Sequence, residues 1–82
     1  MPRKVIGKNI VGRRVATARR QKIPPLTQDE LSGQLARLGV QLDRAAIAKI
    51  ENNLRRVLDY EVKALASVLG VDPSWLLGDG KR

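Results

Sequence analysis

Leu26-Thr27-Gln28-Asp29-Glu30-Leu31 and Leu42-Asp43-Arg44-Ala45-Ala46-Ile47 are two helix starts sixteen residues apart. Together they define a two-helix device. In the first, Thr27 can cap the amide of Glu30 while Glu30 reaches back to the amide of Thr27, and Leu26 packs on Leu31 as a hydrophobic staple. In the second, Asp43 is the cap and Leu42 the staple to Ile47.

The neighbouring segments also read as helices. Val11, Val15 and Ala18 share one face of a helix that Asn9 would cap and that runs to about Lys22, leaving Arg13, Arg14 and Arg20 mainly for solvent. Pro24 and Pro25 end it, because proline lacks an amide and pushes the preceding residue out of helical geometry. Leu31, Leu35 and Leu38 at i, i+4 and i+7 predict a second helix from Thr27, with Gly39 as a left-handed stop. A third, Asp43 to Asn52, turns Ile47 and Ile50 inward, and Asn53 stands where a left-handed residue is expected. Asp59 is the expected cap of a fourth helix carrying Val62, Leu65, Ala66 and Leu69 up to Gly70. In a brief fifth, Asp72 caps and Pro73 takes the first position, where its missing amide costs nothing. No β-type alternation of useful length appears. The expected fold is all-α, a compact five-helix bundle over residues 9–78, with a basic arm at 1–8 and a short tail at 79–82.

Composition narrows the function. The 82-residue chain carries a net charge of +8, and residues 1–28 hold eight cations and no anion. A basic face needs an acidic partner, and nucleic acid is the first choice because neutralised phosphates release counterions. An anionic membrane surface is the rival, but Val11, Val15 and Ala18 lack the bulk that inserts into lipid. No apolar run approaches the ~20 residues that span a bilayer. With no Cys there is no disulfide framework, and with no His the usual zinc ligand and general base are both missing. No enzyme activity, cofactor, metal or small-molecule substrate is expected, and the location expected is the cytoplasm of a prokaryotic or phage-infected cell.

Three fragments carry a family resemblance. The first is Leu26-Thr27-Gln28-Asp29-Glu30-Leu31 and the second Ala46-Ile47-Ala48-Lys49-Ile50-Glu51-Asn52-Asn53; the third runs Leu65-Ala66-Ser67-Val68-Leu69-Gly70-Val71-Asp72-Pro73-Ser74-Trp75-Leu76-Leu77. In this order they resemble the Cro/C1-type (Xre) helix-turn-helix family, similar to phage repressor DNA-binding domains with their lambda-repressor-like bundle. Two departures stand out. Leu31 and Ile47 lie farther apart than in typical members, implying either a longer second helix or a longer turn near residues 36–41, and Ile23-Pro24-Pro25 replaces a shorter Gly-containing turn.

The resemblance implies that the third helix lies in the major groove of duplex DNA while the second crosses the phosphates. Helical periodicity, with Ala46, Ile47 and Ile50 inward, leaves Arg44, Ala45, Ala48, Lys49 and Asn52 outward. Arg44 and Lys49 can donate to guanine O6 and N7, and Ala45 and Ala48 can touch a thymine methyl. Gln28 matches the family residue that bonds a phosphate and can brace the third helix, or it is only a favourable first-turn residue. Asn52, Arg55 and Arg56 match positions on the sugar-phosphate backbone, where contacts position rather than specify. Arg19 and Glu51 match the family's ion pair between the first and third helices, with Arg20 as the alternative partner. Trp75 and Leu77 are candidates for a homodimer seam, although Trp75 and Leu76 can equally plug the core.

The implied function is sequence-specific DNA binding by a transcriptional regulator, a repressor first of all. The second reading is an antitoxin-type module that binds a partner protein as well as DNA.

Overall fold

The computed structural model describes residues 10–79, so the expected arm at 1–8, the Asn9 cap and the end of the tail lie outside the described residues. Among the described residues five helices and no strand are present: α1 (Val11–Gln21), α2 (Gln28–Arg37), α3 (Arg44–Glu51), α4 (Asp59–Leu69) and α5 (Pro73–Leu76). None is long and apolar enough to cross a membrane.

Local chemistry sets the helix starts. Thr27 Oγ1 accepts from the Glu30 amide at 3.0 Å and Glu30 Oε1 from the Thr27 amide at 2.8 Å, a reciprocal capping box. Asp43 Oδ1 accepts from the Ala46 amide at 2.8 Å, and Asp72 Oδ1 from the Ser74 amide at 2.9 Å. The fourth helix corrects the sequence reading: Leu58, not Asp59, is the capping residue. The side chain that reaches back to the Leu58 amide, at 2.9 Å, belongs to Glu61. Asp59 is the first helical residue, its carboxylate accepting from the Tyr60 amide.

Helix ends are equally explicit. Gly39 (φ 80°) and Asn53 (φ 60°) both turn left-handed. In each case the following amide bonds five residues back, Val40 to the Leu35 carbonyl and Leu54 to the Lys49 carbonyl, which satisfies carbonyls the helix leaves open. Leu38 is the second correction. The Gly39 stop closes α2 at Arg37, so Leu38 swings away from the apolar stripe and is 52% exposed. The core is supplied instead by Val40 and Leu42 from the connection. The extra length between the two motif helices is therefore a six-residue turn, 38–43, and not a longer helix.

The core joins Val11, Val15 and Ala18 of α1, Leu31 and Leu35 of α2, Ile47 and Ile50 of α3, Val62, Leu65 and Leu69 of α4, and Leu76 of α5. α1 and α2 each pack on both α3 and α4, and α5 packs on α4 and α1. This arrangement leaves one long face of α3 uncovered.

Two exposed caps make stability sensitive to acid. Glu30's carboxyl is held below its ordinary value by bonds from the Thr27 amide and then the Thr27 hydroxyl, and Asp72's by its bonds with the Ser74 hydroxyl and amide. A carboxyl depressed on folding stabilises fully above its unfolded value, and that stabilisation is lost as pH falls through the folded one. We expect the deficit of Thr27→Ala against the parent chain, followed by urea midpoints, to be constant near neutrality and to shrink below about pH 4.

Candidate nucleic-acid interface

The junction of α1, α2 and α3 is tied by one carboxylate. Glu51, at the end of α3, accepts from Arg19 Nε at 2.8 Å and Nη2 at 2.9 Å, and from Gln28 Nε2 at 3.0 Å. The pair is well enclosed, with side-chain exposures of 12% for Arg19 and 6% for Glu51. Arg19 also closes the proline turn: its Nη1 donates to the Leu26 carbonyl, and its own carbonyl accepts from the Leu26 amide, both at 3.0 Å. The Arg19 guanidinium is pushed above its ordinary value by the bond to Glu51 and then by that carboxylate's charge, against the opposing effect of burial. It stays charged at any ordinary pH. Arg20 is exposed and takes no part.

This junction fixes α3 relative to α2, and α3 offers an open face. Arg44, Ala45, Lys49 and Asn52 are exposed along it, with Ala48 half-buried between them. Arg44 Nη1 lies 3.8 Å from Asp29 Oδ2 at the start of α2, an exposed and loose pairing that leaves the guanidinium available. The Lys49 side chain has no hydrogen bond or ion pair among the described residues. Asn52, which caps the end of α3, donates its side-chain amide to the Ala48 carbonyl of that helix, at 2.9 Å. The positive end of α2 presents Gln28 and Thr27 beside Arg44, lining one shallow depression.

Beyond α3 the two arginines diverge. Arg56 is exposed. Arg55 Nη1 and Nη2 hold the two oxygens of Glu61 at 2.9 and 3.0 Å, and Nη1 also donates to the Arg56 carbonyl at 2.7 Å. Its guanidinium is raised chiefly by that bond to Glu61, which is 2% exposed. Sequence reasoning passed over Glu61. The available signal was its position three residues after the α4 capping residue, where a glutamate can reach back to the helix start.

Arg14 was expected in solvent. It is half-buried instead: its guanidinium carbon lies 4.9 Å from the centre of the Trp75 ring, and Nη1 donates to the Trp75 carbonyl. Trp75 is correspondingly half-buried on α5, Leu76 is fully buried and Leu77 is exposed.

An uncovered helix, aimed by a neighbour whose positive end lies beside it and rimmed by cations, is the geometry of a helix-turn-helix reader of duplex DNA. A helix-turn-helix family model matches residues 26–76, and the chain belongs to the Cro/C1-type helix-turn-helix family of DNA-binding transcription regulators. Comparison with curated proteins and with solved structures returns no match.

Proposed function

We propose that the protein is a sequence-specific repressor that docks α3 in the major groove and α2 across the adjacent phosphates. The observation that carries this reading is the α3 face itself, where Arg44 and Lys49 stand exposed about one and a half turns apart with only alanines between them on the open side. Small residues let the helix approach the base edges, and the two cations suit guanine O6 and N7. Ala45 and Ala48 fit against thymine methyls.

Gln28, Asn52, Arg55 and Arg56 would hold the backbone on either side. Arg56 is exposed and free to reach phosphate, whereas Arg55 has its charge offset by Glu61 and would act mainly by ordering the Arg56 backbone that it bonds. Gln28 can brace and bind at once, because its amide donates to Glu51 while its helix end faces the anion. A homodimer on two half-sites about one helical turn apart completes the proposal. Leu77 is the better seam residue, since Trp75 is already engaged with Arg14.

Selection from randomised duplexes tests it. An enriched word with guanine-containing half-sites is expected, and no enriched word at any salt concentration would refute it. Arg44→Ala or Lys49→Ala should each relax preference at one base position, by about 1–3 kcal/mol of discrimination. Equal loss on all sequences would show that the groove face is misassigned.

A further inference from the structure

Three residues of α1 fall on one line: Arg13, Thr17 and Arg20, at i, i+4 and i+7. They line a single groove together with Gln28, Glu51, Asn52 and Asn53, so the stripe runs alongside the end of α3 and the start of α2. Neither the Arg13 nor the Arg20 side chain has a hydrogen bond or an ion pair among the described residues, and both residues are exposed. The only carboxylate in the groove, Glu51, is enclosed and already held by Arg19 and Gln28. The groove is therefore positive, with both free charges on α1.

We propose that α1 forms a second phosphate track, in which Arg13, Thr17 and Arg20 grip the DNA backbone beyond the end of α3. This rests on the docking proposed above and adds a third helix to it. Along α1 the stripe spans roughly 10 Å. A strand carries one phosphate about every 3.4 Å along the duplex axis, so the two arginines can meet different phosphates, with the Thr17 hydroxyl between them as a neutral donor. The track is rigid with respect to α3, because Gly12, next to Arg13, brings the α1 backbone against the Ile50 carbonyl. A cation on a flexible loop would add charge; these add position.

The alternative is a solvated helix face that contributes only to overall charge. The two make different predictions for salt dependence. The probes are a duplex recovered by selection and a mixed-sequence duplex of equal length, with binding measured over a series of salt concentrations. With R13A/R20A, the slope of log affinity against log salt should fall by about one for each arginine on both duplexes, and the selected word should not change. Equivalently, a fourfold rise in salt should cost the parent chain about tenfold more affinity than the double variant. R13K/R20K should keep most of the slope, because lysine still neutralises phosphate.

The control is R37A/K63A, which removes the same charge from α2's far end and from α4, off this groove. It should leave the slope near the parent value. An unchanged slope in R13A/R20A, or one matched by the control, overturns the track. So does a loss confined to the selected duplex. If selection yields no word, the major-groove reading falls by itself, and the mixed-sequence duplex still decides whether α1 grips phosphate.

Discussion

Gly12→Ala should destabilise the protein by about 3 kcal/mol, at the upper end of what overpacking costs, although alanine is the better helix former. A Cβ at this position would lie 2.1 Å from the Ile50 carbonyl oxygen, 3.1 Å from its carbon and 2.9 Å from Asn53 Oδ1. Two of those atoms are backbone, so no rotamer change relieves the clash and α1 must lift off α3. The propensity gain of ~1 kcal/mol is too small to reverse the sign. Gly33→Ala provides the contrast, since nothing lies within 4 Å of the new methyl and that exposed position in α2 should gain about 0.5–1 kcal/mol. Urea unfolding of the two variants measures the difference, and a Gly12→Ala chain as stable as its parent would show that the helices are not in this contact.

Glu51→Ala should cost about 3–5 kcal/mol, because it strands the Arg19 guanidinium in a nearly closed junction and leaves the Gln28 amide without its acceptor. The carboxylate itself is not the source of stability; the penalty comes from the unpaired charge. Pairing Glu51→Leu with Arg19→Met should accordingly recover much of the loss, with a favourable coupling in the double-mutant cycle. A deficit under 1 kcal/mol for the single variant would mean that water reaches Arg19 and screens it. Even where the single variant folds, selection should return a weaker consensus, since α3 has lost its tie to α2.

Much of this architecture was legible because it is local. Thr27, Asp43 and Asp72 cap their helices through bonds two or three residues long, and Gly39, Asn53 and Gly70 turn left-handed just where apolar periodicity ceases. What escaped was decided by partners distant in sequence. Leu38 fits the stripe of α2 by spacing, yet the helix stops one residue earlier and Val40 and Leu42 fill the space. Arg14 resembles its exposed neighbour Arg13 until α5 arrives 61 residues later and places Trp75 beneath it. Asp59 and Glu61 are both acids at a helix start, and which of them reaches back depends on whether the cap is Leu58 or Asp59, a choice that burial of Glu61 beside Arg55 decides. Gly12 carries no pattern of its own; a residue without a side chain on an apolar helix face was the one available hint of a close crossing.

The six residues joining α2 to α3 are longer than the motif needs, yet they do not form a loose joint. Val40 and Leu42 are anchored in the interior at alternate positions, so the segment acts as a splint between two struts. The attitude of α3 is thus set by the interior of the protein itself. In the docking proposed above, binding would then cost little internal rearrangement, and discrimination among sequences would fall to the bases and their grooves rather than to a protein adjusting itself to each of them.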